Sequence, residues 1–352
     1  IYSELIPGLM TRLVLVRFFT GMFISMTILG VLSCDDVVQP ELREPLLDVP
    51  IGFPAPEFPE DNQFTSERWL LGKRLFYDSI LSLDYSISCA SCHKPELGFS
   101  DDRALSMGVE DRAGTRNAPT LANVAYHPYY TREGGVPTLE MQILVPVQEH
   151  AEFDFNILLI ADRLKADSSY VQLSHLAYER DPDAFVITRA IACFERTLLS
   201  GQSRYDKFIH GDQTVLSSKE KIGLDLFFSD RLSCFTCHSG FNFTNYGFEN
   251  NGLYAEYPDP GRFRLTNNEA DRALFKVPTL RNVEVTAPYM HDGSIQTLEE
   301  VVNHYNEGGA NHPHKSSLIR PLQLLQNEKD ALVAFLKSLT DDHFITNPKF
   351  KK

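Results

Sequence analysis

The chain has 352 residues, 43% of them hydrophobic and 23% charged, the balance of an ordinary globular protein and not of a disordered or collagen-like one. At roughly 100–200 residues per domain, that length predicts two domains. Asp and Glu (47) outnumber Lys and Arg (33) for a net charge of −14, the wrong sign for gripping a phosphate backbone, so nucleic acid is set aside as a partner.

In chain order, residues 1–33 read as a signal segment. Leu13 to Leu32 is apolar apart from Arg17 and a few small polar residues, Arg12 and Arg17 supply a positive region, and the stretch ends Val31-Leu32-Ser33-Cys34. It resembles a bacterial lipoprotein signal, in which Cys34 becomes the acylated first residue. A retained membrane anchor and a plain secretory signal are the alternatives. All three place the folded part outside the cytoplasm; the first leaves it periplasmic and lipid-anchored to a bacterial membrane. Residues 34–65 follow, and six of the twenty from Pro40 to Pro59 are proline, which predicts a stiff, extended tether.

Beyond residue 65 the sequence repeats itself. Gly72-Lys73-Arg74-Leu75-Phe76 leads into Cys89-Ala90-Ser91-Cys92-His93, and Gly223-Leu224-Asp225-Leu226-Phe227 leads into Cys234-Phe235-Thr236-Cys237-His238. Pro119-Thr120-Leu121 with Asn123, then Thr138-Leu139-Glu140, recurs 159 residues on as Pro278-Thr279-Leu280 with Asn282, then Thr297-Leu298-Glu299. Two homologous domains are therefore predicted, at residues 66–200 and 201–345.

The secondary structure reads as mostly α. Asp181-Pro182 opens a helix whose apolar positions are Phe185, Ala190, Ile191, Phe194 and Leu198, stopped at Gly201. Ser217-x-x-Glu220 and Asn327-Glu328 open two more. Thr297-x-x-Glu300 is a capping box before Leu298, Val301, Val302 and Tyr305, with Gly308 as the stop. No run of alternating strands is convincing.

The chemistry lies in the two C-x-x-C-H pentads. Two thiols one helical turn apart are what two thioether links to a haem require, and the adjoining histidine then ligates the iron. A zinc ribbon would bring its cysteine pairs far closer than the 145 residues that separate these, and a redox dithiol has no use for a neighbouring histidine. Cys193 reads as a buried helix residue.

In this order, the pentads, Arg116-Asn117-Ala118-Pro119-Thr120-Leu121, Thr138-Leu139-Glu140-x-Gln142 and Ala287-Pro288-Tyr289-Met290-His291-Asp292-Gly293 resemble the bacterial dihaem cytochrome c peroxidases and their MauG-type relatives over residues 66 to 342. The resemblance implies two cytochrome c-like haem domains, two covalent haem c groups and a calcium ion between them. Cys89, Cys92, Cys234 and Cys237 would hold the haems, with His93 on the first iron and His238 on the second. Peroxide would react at the N-terminal haem while the C-terminal haem transfers electrons.

A haem that binds peroxide must keep its sixth position open, and an electron-transfer haem usually fills it. Tyr305 stands at the position whose counterpart, 159 residues earlier, is Pro146, and proline has no side-chain donor. In the family, the residue at the Tyr305 position covers the C-terminal haem; it is Tyr in the MauG-type branch and Met in the other peroxidases. The alternative is that Tyr305 only packs. No histidine lies between His93 and Val124, so the first haem is expected to be five-coordinate, His127 being the nearest candidate. Gln142 and Glu152 resemble the distal pair that positions peroxide and moves its proton. Glu149 is the neighbouring alternative, and Glu152 could equally be a solvated acid.

Some family positions differ. Arg132 stands where the family has a tryptophan between the haems, and Leu232 where MauG has a surface tryptophan; the one tryptophan is Trp69. Tyr129 and Tyr130 are the nearby aromatic substitutes. Asn117, Thr286 and Pro288 match the positions that give calcium mainly carbonyl oxygens.

Taken together, these residues predict a cytochrome-c peroxidase reducing hydrogen peroxide to water with electrons from a small c-type cytochrome or cupredoxin. Its alternatives are a MauG-type peroxide-dependent oxidase of a protein or small molecule, and a dihaem electron carrier that Pro146 opposes. A homodimer is compatible with a sequence that leaves the oligomeric state open.

Overall fold

The computed structural model describes residues 45–352; the signal segment, Cys34 and the start of the proline-rich stretch lie outside them. Helices dominate, and their starts follow from capping side chains. Thr65 accepts from the Arg68 amide at the head of α1 (Ser66–Tyr77). The one-turn helix α2 (Cys89–Cys92) follows, then the short helices α3 (Leu139–Gln142) and α4 (Leu144–Gln148), and three longer ones, α5 (Ile157–Lys165), α6 (Ser168–Tyr178) and α7 (Ala184–Glu195). The second part of the chain holds α8 (Arg204–Ile209), α9 (Ser218–Phe227), the one-turn α10 (Cys234–Cys237), α11 (Phe263–Thr266), α12 (Leu298–Glu307), α13 (Gln326–Lys337) and α14 (Asp342–Thr346). Strand β1 (Phe248–Glu249) pairs antiparallel with β2 (Phe275–Lys276), the one sheet among the described residues.

Two helix crossings carry the architecture. In the first, α1 lies so tightly on α7 that a Cβ added to Gly72 would sit 1.9 Å from the Ala190 carbonyl oxygen. In the second, a Cβ on Gly223 of α9 would sit 1.9 Å from the carbonyl oxygen of Ala331 in α13. No real side chain fits there, which is the physical reason glycine precedes Leu-Phe in both approaches. Around the crossings two cores form, one with Leu75, Phe76, Ile187, Ala190 and Phe194, the other with Phe227, Leu332, Phe335 and Leu336.

A buried polar seam ties the two parts together. Asn123 and Asn282 both take the left-handed conformation, at φ 61° and 60°, which asparagine tolerates better than most residues. The Asn123 side chain accepts from the Ser200 amide at 2.8 Å and donates to the Asn242 carbonyl oxygen at 3.1 Å. The Asn282 side chain accepts from the Asp341 amide at 2.9 Å and donates to the Ser200 hydroxyl at 2.9 Å. Residues 45–352 accordingly belong to one compact unit.

Several expectations shift. The N-cap of α7 is Asp183, which accepts from Val186 at 2.9 Å, two residues beyond Asp181, and the helix ends at Glu195 rather than running to Gly201. The capping boxes at Ser217 and Thr297 are present as read. The described part of the proline-rich stretch is no free tether. Phe53 packs on Phe241 with ring centroids 4.5 Å apart, and buried Asn62 donates to Glu140 at 3.0 Å. Phe344 of α14 and Phe350 join the first core, not the second, so the boundary at residue 345 cuts through a packed element. No helix of the described residues is long and apolar enough to cross a membrane.

Gly72→Ala and Gly223→Ala should each destabilise the protein by about 2–3 kcal/mol, because the helix backbones must separate to admit a methyl group. Chemical denaturation checks this, and a change below about 0.5 kcal/mol, the ordinary surface value, would contradict the crossing geometry.

Candidate functional site

At the first pentad, Ser88 and Ser91 form a reciprocal cap, the Ser88 amide donating to the Ser91 hydroxyl at 3.0 Å. That cap fixes one turn of helix and sets the half-buried Cys89 and Cys92 on the same side of it. His93 ends the turn, its amide donating to the Cys89 carbonyl at 3.0 Å. Its Nδ1 donates to the Phe99 carbonyl oxygen at 2.9 Å. A carbonyl only accepts, so the proton is on Nδ1 and the Nε2 lone pair is left for a ligand. The second pentad repeats this, His238 Nδ1 donating to the Phe243 carbonyl at 3.2 Å. Burial pushes both imidazoles toward the neutral form, His238 down to about 4.

The thiols answer the alternatives. Burial pushes Cys92, Cys234 and Cys237 up to about 11, and Cys89 well above its ordinary value; a redox dithiol needs the opposite shift. No cluster of three or more His, Cys, Asp or Glu among the described residues could hold a zinc ion.

Two acids converge on the first thiol pair. Cys89 and Cys92 both feel the charge of Glu152. Glu152 is exposed to water, yet the protein packed around its carboxyl desolvates it, and that desolvation, followed by the charge of Glu149, pushes it up to about 7. Its loop is rigidly seated. The Val109 amide donates to the Glu152 carbonyl at 2.9 Å, and a Cβ on Gly108 would sit 2.2 Å from the Ala151 carbonyl oxygen. The Pro146 carbonyl accepts from Phe153 at 3.1 Å and so closes the same loop. Gln142, at the end of α3, has a buried side-chain oxygen that accepts no hydrogen bond.

Glu195 is the acid the sequence reading missed. It is 5% exposed and without a hydrogen-bond or ion-pair partner among the described residues, and it is the nearer of the two acids in its effect on Cys89. Burial pushes it up to about 8 against the pull of Arg196, whose guanidinium is taken by Glu140 at 2.6 and 3.0 Å. The available signal was one carboxylate directly after the apolar run from Ala190 to Phe194.

On α12, Tyr305 feels both Cys234 and Cys237, and burial raises its phenol to about 12 despite a hydrogen bond with Asn251. It therefore lies within electrostatic reach of the second thiol pair, on the helix that buries Leu298 and Val302. Leu232, which stands where MauG has a surface tryptophan, is buried here, at 4% exposure, in the second core. His127 is held by Lys276 Nζ at 3.3 Å from Nδ1 and stacked on Tyr130. Tyr129 stacks on Phe248 at 5.2 Å. Asn117, the first residue of the expected calcium set, has both its carbonyl and its side-chain oxygen engaged by Arg132.

Weakly acidic thiol pairs, each beside a neutral and oriented imidazole, suit covalent haem attachment, and their presence in two places on one helical frame defines a dihaem c-type cytochrome. Residues 66–214 match the family described as di-haem cytochrome c peroxidase. The chain is 36% identical to methylamine utilization protein MauG of Methylorubrum extorquens over 284 residues, 80% of each chain. It is 34% identical to cytochrome c551 peroxidase of Nitrosomonas europaea over 286 residues, 80% of this chain and 81% of that one. A solved MauG-like protein associated with microbial copper homeostasis matches at a TM-score of 0.81 and 36% identity, covering 86% of this chain and 97% of that one. The chain belongs to the di-haem cytochrome c peroxidase family and is an oxidoreductase.

Two measurements check the site. Mass spectrometry of denatured protein matured in a competent periplasm should show two covalent haem additions, with one weakened in Cys89→Ser and in Cys234→Ser; zinc without haem would end this reading. Glu195 in the folded state holds its proton up to about pH 8. The fold therefore binds more protons than the unfolded chain between the ordinary carboxyl range and pH 8, and stability falls as pH rises through that window. Glu195→Gln should remove that fall in thermal midpoint between pH 5 and 8.

Proposed function

We propose that the protein reduces hydrogen peroxide to water at the His93 site, drawing two electrons, one at a time, through the His238 site from a small c-type cytochrome or cupredoxin. The observation that carries this reading is that Glu152, an acid whose pKa is raised to about 7, acts on both thiols of the first pair, where the position equivalent to Tyr305 is Pro146; the buried Gln142 oxygen, which accepts no hydrogen bond, is available near it in the sequence. When bound, the haems supply iron centres that exchange electrons, the first with room for peroxide. Gln142 orients the peroxide. Glu152 takes the proton from its near oxygen and returns it to the departing one, the work of an acid whose pKa lies near the working pH. One peroxide, two protons and two electrons give two waters.

Tyr305 ligates the second iron in this reading. A phenolic oxygen is a hard donor that favours the ferric state and lowers the potential relative to a His/Met pair. Tyr305 also favours a second reading, a MauG-type oxidation of a protein or small molecule by peroxide, and the 36% identity to MauG fits it equally. The two domains are taken as repeats of one unit, exported to the periplasm and anchored through Cys34.

Stopped-flow mixing of ferric protein with peroxide, followed by reduced cytochrome c, tests the proposal. The protein should react without prior reduction, and the donor should be oxidised in stoichiometric amount. Inertness until one electron is added would sink it, and peroxide consumption without donor oxidation would favour the second reading. Because Glu152 must be ionised to accept the proton, the peroxide reaction should accelerate as pH rises through about 7. Glu152→Gln should slow it by about 10²-fold and flatten the pH profile. Tyr305→Phe should abolish the ferric low-spin signal of the second haem; an unchanged signal and potential would reduce Tyr305 to packing.

A further inference from the structure

Of the oxygens expected to hold calcium, both that Asn117 offers are already occupied. Arg132 Nε and Nη2 donate to the Asn117 carbonyl oxygen at 3.0 and 2.7 Å, and Nη2 also donates to its Oδ1 at 2.9 Å. The Asn117 amide is used as well, donating to the His291 carbonyl at 2.9 Å. Asn117 is 5% exposed, so water does not supply a spare shell of ligands. The guanidinium has no carboxylate within ion-pair distance among the described residues, and it is solvated by neutral amide oxygens, the same donors a hard cation takes. Arg116, bound to Asp259 at 2.6 and 2.9 Å and also to Glu133, places a second positive charge beside it. Burial and Arg116 lower the Arg132 pKa to about 10, which keeps it charged at neutral pH. Asn117 therefore has no oxygen left for a calcium ion, and a positive charge already stands against it.

We propose that the Arg132 guanidinium is the resident cation of this site, replacing a calcium ion and joining the two parts of the molecule through Asn117. Position 132 has its repeat counterpart 159 residues on at His291, so the two equivalent positions meet on one asparagine, one through a side chain and the other through a backbone carbonyl. The Arg132 carbonyl also accepts from the Lys276 amide of β2 at 2.7 Å. A covalently tethered charge cannot be chelated away, and it admits no divalent ion while it stays in place.

The test uses the dihaem protein and reads metal, not turnover, so it stands apart from the peroxidase assignment. After equilibration with 1:1 calcium and exhaustive gel filtration, elemental analysis should find substoichiometric calcium. EGTA and excess calcium should each leave the haem spectra and thermal midpoint unchanged. One tightly held calcium per chain, or a spectral change on chelation, overturns the proposal. Arg132→Gln should lower the midpoint by about 5 °C, the scale expected for losing a buried charged hydrogen-bond donor, and added calcium should restore part of the loss. A variant equal to the parent protein with and without calcium also overturns it. If the variant fails to fold, the calcium count on the parent protein still decides.

Discussion

Each proximal imidazole is aimed by one hydrogen bond to the carbonyl of a phenylalanine in the left-handed conformation, and the rest of each site is arranged around that bond. Phe99 has φ 60° and Phe243 φ 50°. Holding a non-glycine residue there costs about 1–3 kcal/mol. Phe99 is fully buried and Phe243 1% exposed, and burying a phenylalanine ring returns about 2–3 kcal/mol, so the strain is sustained by packing. Phe99 lies 6.0 Å from Phe76, 5.6 Å from Phe344 and 6.1 Å from Phe350. Phe243 lies 5.1 Å from Tyr205 and 6.0 Å from Phe227. The Leu-Phe approaches of the two long helices thus do more than fill a core: Phe76 and Phe227 hold the residues whose carbonyls orient the histidines.

This explains which features were legible in the sequence. The pentads, their glycine-led approaches and the capping boxes at Ser217 and Thr297 are local, and each is dictated by a short-range requirement such as one helical turn between thiols or a reciprocal cap. What escaped depends on distant partners. The start of α7 moved to Asp183 because that side chain, not Asp181, reaches an orphan amide. The proline-rich stretch lies against the body because Phe53 finds Phe241, nearly two hundred positions away in the chain. Leu232 sits in the core because it packs with residues distant in the chain, such as Leu332 and Phe335. Glu195 escaped because nothing local marks it: its burial comes from distant packing, and the adjacent Arg196 is spent on Glu140.

Arg132 illustrates the same limit from the other side. Sequence comparison marks it as a departure in place of an aromatic residue, which invites an account in terms of lost electron hopping. Its geometry instead makes it a structural cation. Nearby, His127, Tyr129, Tyr130 and Tyr246 form an aromatic cluster around Lys276, whose ammonium burial pushes down to about 8. Two buried positive charges in this region make it a poor place to remove an electron from a side chain, since the resulting radical cation would be repelled by both.

The two sites share a scaffold and diverge in what faces the ligands. At the first, carboxyl groups that hold protons near neutral pH surround the thiols, and the position that could cap the iron is Pro146, whose ring offers no donor. At the second, the corresponding position is a desolvated phenol that both cysteines influence, and among the described residues Glu249 is the acid that acts on Cys237. Proton-coupled chemistry needs an exchangeable proton and an open coordination position together, whereas electron transfer is best served when neither changes. In the proposed function the two roles are thus divided by a few side chains: Glu152 and Gln142 with Pro146 on one side, Tyr305 on the other. The helix crossings at Gly72 and Gly223 remain alike because both roles need the same fixed histidine.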